Sequence, residues 1–282
     1  MNHKTKQIGL IGLGVMGAPM ARQILQKNGQ VTVFDVAPTA VEALVAVGAS
    51  AASSPKAVGQ SSDIVITMLP HPDVFLDVVF GTDGLIEGLK APGILIDMST
   101  NGPAVLHEAE KKLRPEGIRV MDAPVGKGPW AAEKGDLTIL MGGEEATCRE
   151  AEWVLSMVGS KLYHCGPLGA GQVVKLANNL VSCGNMAVLA EAYALAQAGG
   201  AKLDVLTEVM PMTSADSWQL RSTLNGKILQ GDFSPMFGVH PLGWTGVMPF
   251  NWRSAGRGPL QTRQDFCIRA PSADAWHYRP LR

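Results

Sequence analysis

Only 4 of the 282 residues are cysteine, and Cys148, Cys165, Cys183 and Cys267 form no C-x-x-C pair. That spacing argues against a metal cluster or a disulfide framework and suits a reducing cytoplasm. The 6 histidines never fall at ligand spacing, so no metal is expected. Aromatic residues make up 6% of the chain, too few for base-stacking platforms, and the formal net charge is −1. Nucleic acid and anionic membrane are thereby excluded as main partners. Long apolar runs are scarce as well, and none is expected to span a bilayer. The run that begins at Ile8 after Lys4 and Lys6 superficially resembles a signal peptide, but Gly9, Gly12, Gly14 and Gly17 break it.

What the chain does have is an apolar fraction of 46% and a length that fits two domains. From Gln7 to about Val125, short β-rich apolar runs alternate with amphipathic stretches, the pattern of βαβ units. Strands are expected at Ile8–Ile11, Val31–Phe34, Asp63–Met68, Ile94–Asp97, Arg119–Asp122 and Leu137–Leu140, with a helix over Met16–Gln26. Nearly continuous apolar character marks strands covered on both faces, hence a doubly wound, mostly parallel Rossmann sheet in an α/β fold. The breaker cluster Gly166-Pro167-Leu168-Gly169 then precedes one long helix, Gln172 to Ala198, with no strand signal for over sixty residues. A helix of that length, apolar on more than one face, is usually buried between partners. The expected domains are therefore 1–164, a Rossmann domain, and 165–240, an all-α domain for substrate and dimerisation.

Composition shifts again after His240. The last 42 residues hold six of eleven arginines, no lysine, three of six tryptophans and only two acids. No helical or strand period survives there. The plain reading is a basic irregular tail. Out-of-frame reading of GC-rich DNA produces this composition too, so a frameshift at about residues 239–241 is expected, leaving the second domain incomplete.

Gly12-Leu13-Gly14-Val15-Met16-Gly17 is G-x-G-x-x-G, a weak motif alone but placed here after a strand and before a helix. Gly12 would permit the tight turn, Gly14 the approach of a pyrophosphate and Gly17 close helix–strand contact. Asp35, directly after the second strand, is positioned to accept hydrogen bonds from the adenosine ribose and to repel a 2′-phosphate. Val36-Ala37-Pro38 offers no cation for such a phosphate, so NAD rather than NADP is expected. The competing reading of Asp35 is a surface residue capping the next helix. In the long helix, Lys175 and Asn179 stand four apart on one face, with Asn178 adjacent. A lysine in an apolar helix is costly unless it has work or a partner, although an isolated one more often snorkels.

These motifs together, Gly9–Gly17, Asp122-Ala-Pro-Val125 and Lys175 to Asn179, resemble the β-hydroxyacid dehydrogenase family over about residues 7 to 239. The resemblance implies that Lys175 is the acid/base, that Asn179 orients it or the substrate, and that Leu69, Pro70 and Thr100 line the cofactor. It also implies a homo-oligomer, dimer or tetramer, if the helical domain is intact. Where many members read Asp-x-Pro-Val-Ser-Gly-Gly, this chain reads Asp122-Ala-Pro-Val-Gly126-Lys127-Gly128. A basic residue there resembles the 3-sulfolactaldehyde reductase branch, so Gly126, Lys127, Gly128 and Asn178 are expected to meet a small anionic substrate. A lysine specifies an anion but not its shape, and Lys127 is equally readable as a solvated loop charge. Members also carry a Lys-Asp-Leu element where this chain has Pro241-Leu-Gly-Trp244-Thr. Two alternatives stay open: an imine-reductase-like enzyme, against which Lys175 argues, and a catalytically impaired NAD-binding homologue.

Overall fold

The first strand, β1 (Ile8–Ile11), is buried at all four positions, which no strand with a solvated face could be. It lies at the centre of a sheet that the computed structural model describes within residues 6–232. After it come α1 (Gly17–Asn28), β2 (Thr32–Phe34), α2 (Pro38–Val45), β3 (Ser50–Ala51), α3 (Pro55–Gln60), β4 (Ile64–Thr67), α4 (Pro72–Phe80) and β5 (Ile94–Asp97). The chain continues through α5 (Pro103–Leu113), β6 (Arg119–Asp122), β7 (Val125–Gly126), α6 (Pro129–Glu133), β8 (Leu137–Gly142), α7 (Glu145–Leu155) and β9 (Gly159–Gly166). Two further helices follow, α8 (Ala170–Ala198) and α9 (Leu203–Val209), then a π-helical segment over Gln219–Asn225. The composition break, the missing Lys-Asp-Leu element and the expected frameshift lie outside the described residues.

The strands run β3-β2-β1-β4-β5-β6-β8-β7, with β9 on the other side of β8. From β3 to β6 every pair is parallel, in the strand order of a dinucleotide-binding sheet, and the order reverses between β1 and β4. Ligands of such sheets bind at that reversal, outside the carboxyl ends of the strands. β8 turns antiparallel to β6 and β7 in one constant register, Asp122↔Gly142, Val125↔Ile139 and Gly126↔Thr138. So β7 continues β6 across Pro124, which has no N–H to give to a ladder.

Alternation along the strands fills two cores. Ile64, Ile66, Ile94 and Ile96 join Met20 and Ile24 of α1 on one face. Val65 and Leu95 join Phe75, Val79, Leu106 and Leu113 on the other. Each such side chain, fully buried, contributes about 1.5–3 kcal/mol.

Three strands were not legible in the sequence. β3 and β7 have two residues each, and β9 is mostly exposed and polar, so none carries an apolar run. Past Gly166 the described residues contain only helices and turns. α8 lies over β8 and β9, yet in the chain alone only Gly171, Gln172 and Leu189 are buried on it. Its remaining apolar residues are open or half open rather than covered. Leu189 joins Leu220 and Leu224 in a third, small core. By length and composition alone, at a mean hydropathy of 1.2, α8 is long and apolar enough to cross a membrane. That corrects the expectation that no stretch would be. The value arises from many alanine, valine and leucine residues spread around a helix that also carries Lys175, Asn178 and Asn179.

Candidate active site

The glycine loop closes β1 onto α1. Gly12 has φ +95°, and a Cβ there would stand 2.3 Å from the Met68 carbonyl oxygen at the end of β4. At Gly17 a Cβ would stand 1.8 Å from the Gly12 carbonyl oxygen, whereas at Gly14 it would meet nothing within 4 Å. Gly12 and Gly17 therefore make the turn, and Gly14, with exposed Val15 and half-buried Met16, leaves the backbone open for a phosphate. Leu13 turns inward and is buried. This cradle, beside the N-terminus of α1, fits a dinucleotide.

Asp35 sits where β2 ends and is tied to the same loop. Its Oδ2 accepts from the Leu13 N–H at 2.6 Å, and its Oδ1 accepts from the Ala37 N–H at 2.8 Å. Each oxygen keeps a further lone pair for a ribose hydroxyl.

A polar hub lies behind Leu69, Pro70 and Thr100. Asp97, the last residue of β5, is fully buried and accepts from Thr67 Oγ1 at 2.9 Å, Ser99 Oγ at 2.6 Å and Asn101 Nδ2 at 2.9 Å. Burial pushes its carboxyl above the usual range, and the three side-chain hydrogen bonds oppose that. Ser99 Oγ in turn accepts from the Leu69 N–H at 2.8 Å. Pro70 is exposed and Thr100 half-buried, beside this hub.

Gln172 links the hub to α8. Its Nε2 donates to the Ser99 carbonyl oxygen at 2.8 Å and its Oε1 accepts from the Gly102 N–H at 3.2 Å. One turn further along α8, Lys175 Nζ donates to the Val125 carbonyl oxygen at 2.6 Å. No carboxylate among the described residues pairs with Lys175. Burial holds its pKa below the ordinary lysine value, and the weaker influence of Cys183 acts upward.

So Lys175 meets the 122–128 loop through the Val125 carbonyl. Gly126 pairs with Thr138, and Gly128, at φ +83°, caps α6. Lys127 is held away from a free state: its Nζ lies 2.9 Å from Asp136 Oδ2, and its own φ is +77°. Asn179 is half-buried and Asn178 exposed, their side chains 3.4 Å apart, and no hydrogen bond joins either one to Lys175. Among the described residues no group of three or more His, Cys, Asp or Glu gathers as a metal site.

Sequence reasoning missed Thr67, Asp97, Ser99, Asn101 and Gln172 as parts of one network. The available signal was position: Thr67 and Asp97 each end an otherwise apolar strand and Asp122 ends β6, at the carboxyl ends of the strands where ligands bind.

Comparison with known proteins agrees with this fold. The NAD binding domain of 6-phosphogluconate dehydrogenase matches residues 7–166, and the NAD-binding domain of NADP-dependent 3-hydroxyisobutyrate dehydrogenase matches 169–242. The second match ends where the composition changes. The 2-(hydroxymethyl)glutarate dehydrogenase of Eubacterium barkeri is 38% identical over 236 residues, 84% of this chain and 78% of the relative. The 3-sulfolactaldehyde reductase of Escherichia coli is 39% identical over 230 residues, 82% of this chain and 77% of the relative. The solved Mycobacterium tuberculosis 3-hydroxyisobutyrate dehydrogenase with L-serine superposes with a TM-score of 0.79 at 31% identity, covering 86% of this chain and 84% of that one. With both halves matched in order, the chain belongs to the β-hydroxyacid dehydrogenase family of NAD-dependent oxidoreductases.

Proposed function

We propose that this chain interconverts a small anionic β-hydroxy acid and its semialdehyde, with Lys175 as the acid/base. The carrying observation is a half-buried lysine whose pKa is lowered by desolvation, with no bonded carboxylate among the described residues and a single backbone acceptor, Val125. Gly12–Gly17, Asp35, Leu69, Pro70 and Thr100 would hold NAD, which supplies the hydride acceptor when bound.

The lysine's part follows from its surroundings. As a neutral amine, Lys175 has two N–H groups and one lone pair. One N–H bonded to Val125 O restricts where the lone pair points, and that lone pair takes the substrate hydroxyl proton on oxidation. As an ammonium it returns a proton to the carbonyl oxygen on reduction while keeping the same bond. Desolvation enlarges the neutral fraction at a given pH. Asn179, one turn along α8, is placed to orient the substrate or the lysine, with Asn178 beside it.

Relatives named for 2-(hydroxymethyl)glutarate and 3-sulfolactaldehyde support an anionic substrate. Gly126, Lys127 and Gly128 would face its anionic group, Lys127 trading Asp136 for the substrate. Steady-state assays with NAD and a panel of carboxylate and sulfonate β-hydroxy compounds test the reading. Turnover of one or more supports it; bound NAD with no turnover across the panel would instead identify a catalytically impaired homologue, with residues 241–282 as the first suspect.

We also infer a cytoplasmic homo-oligomer. Cys148, Cys165 and Cys183 are free thiols, which suits a reducing compartment. Val173, Leu180, Val181, Val188 and Leu195 are exposed along α8 in the chain alone, a stripe that calls for protein cover. Light scattering on the purified chain should give a dimer or tetramer, and Val181→Glu should reduce its mass. A monomeric parent would overturn this.

A further inference from the structure

The N-terminus of α8 is capped from a distance. Gly169 occupies the N-cap position at φ +88° and has no side chain to offer. The cap comes instead from Asp122, at the end of β6: Oδ1 accepts from the Gly169 N–H at 2.7 Å, and Oδ2 from the Gln172 N–H at 2.8 Å. Asp122 is fully buried and stands in register beside Asp97, a second buried carboxyl. Burial, and to a smaller degree Asp97, push its carboxyl upward, so its charged form is costly in this place. A helix that only needed a cap would carry serine or asparagine at the N-cap itself.

The surroundings leave this carboxylate no play. A Cβ at Gly142 would stand 2.3 Å from Asp122 Oδ1, and one at Gly171 would stand 2.1 Å from the Leu140 carbonyl oxygen and 2.7 Å from Asp122 Oδ2. Glycine at both positions lets the first turn of α8 settle directly onto β8 and the carboxylate. The spacing on the two chains then matches. Three residues after Asp122 comes Val125, and three residues after Gln172 comes Lys175, which Val125 accepts from. One loop thus grips one helix twice, about 4.5 Å apart along the axis and a little under one turn.

We propose that Asp122 is a positioning residue that sets Lys175 against Val125 by fixing the first turn of α8. A lysine stem has four flexible carbons, so the placement of Nζ depends on where the helix starts and on its single acceptor. The proposal rests on the acid/base reading of Lys175, and its test separates the two. Among the described residues, Cys183 is the one ionisable neighbour that acts on Lys175. Asp122 on β6, Asp97 on β5, His107 on α5 and His164 and Cys165 on β9 do not.

Competitive acylation of the whole chain with acetic anhydride across pH, read by mass spectrometry, reports the titration midpoint of each lysine without needing turnover. In the parent, Lys175 should titrate below the exposed lysines. Asp122→Asn keeps the shape but turns an amide donor toward one of the two backbone N–H groups. It should raise the Lys175 midpoint toward that of exposed lysines, because a loosened first turn admits water. In the active enzyme it should lower kcat on the order of 100-fold, the size expected of about 1 Å of misplacement, with KM for NAD within about 2-fold. Gly171→Ala, which lifts the first turn while keeping Asp122, should do the same and stands in if the asparagine variant does not fold. Glu150→Gln, at a remote ion pair, should lose stability without moving the midpoint. An unmoved midpoint in both clamp variants would overturn the proposal. So would a lowered one, which is the sign expected from simply deleting a negative charge. If Lys175→Ala keeps turnover, the acid/base reading fails while the midpoint still decides the clamp.

Discussion

Lys175 Nζ donates to the Val125 carbonyl oxygen at 2.6 Å, and the described residues offer it no carboxylate. A half-buried, desolvated ammonium with one neutral acceptor is poorly compensated, which is why its pKa lies below the ordinary lysine value. Lys175→Ala should lower turnover by about 10²–10⁴-fold, the usual cost of removing a general acid/base. NAD affinity should stay within about 2-fold, since no contact ties Lys175 to the glycine loop. The rate of substrate oxidation should rise with pH through a midpoint below that of an ordinary lysine, as the neutral amine forms. Turnover within a few-fold of the parent, measured in an active preparation, would sink the assignment.

Asp35 holds two backbone N–H groups, Leu13 and Ala37, in addition to any role toward a ribose. Asp35→Ala would therefore free the glycine loop as well as remove a ligand contact. A charged hydrogen bond contributes about 1.5–3 kcal/mol, so NAD affinity should fall roughly 10- to 100-fold. The preference over NADP should relax with it, because the charge that repels a 2′-phosphate is gone. Calorimetric titration of both cofactors reads this, and a parent that binds NADP as tightly as NAD would refute it.

How far the sequence reaches is visible in these residues. β1, β5 and β6 have the bounds that their apolar runs indicate, because a strand buried on both faces writes its own signature. The glycine loop and Asp35 were legible as a motif on a strand–turn–helix. β9 was not, since its exposed residues follow no apolar period. Gln172 to Ser99 spans 73 positions and Asp122 to Gln172 spans 50. Contacts that distant are set by packing of the whole sheet, and no local pattern encodes them. The second duty of Asp35 and the backbone of Lys127 were hidden for the same reason.

Glu150 offers a test of the other end of the sheet. Arg119 donates to it in a fork at 2.5 and 3.2 Å, and Lys6 also pairs with it. Chiefly the hydrogen bonds from Arg119 lower the Glu150 pKa from 4.5 to about 2. A lowered folded pKa gives stability that is present above the unfolded value and is lost as pH falls through about 4.5 to about 2. Asp97 and Asp122 have raised values and act with the opposite sign, their share shrinking as pH rises. Glu150→Gln should cost about 1 kcal/mol at neutral pH, the upper end for partly exposed pairs. Its thermal stability should then depend less on pH than the parent's between about pH 4.5 and 2. Parallel curves for the two proteins would contradict this.

Lys127 occupies a backbone conformation made for glycine. Its φ of +77° lies in the left-handed region, costing an L side chain about 1–2 kcal/mol. This chain nevertheless keeps a cation in that strained place. Among the described residues the ammonium pairs with Asp136 alone, half exposed and worth at most about 1 kcal/mol. That does not outweigh the strain, and the proposed substrate contact would supply the difference. Two substitutions separate the contributions. Lys127→Ala loses the charge and keeps the strain, whereas Lys127→Gly loses both. At an ordinary loop position alanine is the more stable of the two by about 0.4–1 kcal/mol, through the unfolded chain. Here the order should invert, with the glycine variant more stable in urea by about 1 kcal/mol. Both variants should raise KM for an anionic substrate and leave kcat nearly unchanged, as loss of a ground-state contact does. An alanine variant as stable as the glycine one would remove the strain argument, and an unchanged KM would remove Lys127 from the substrate site.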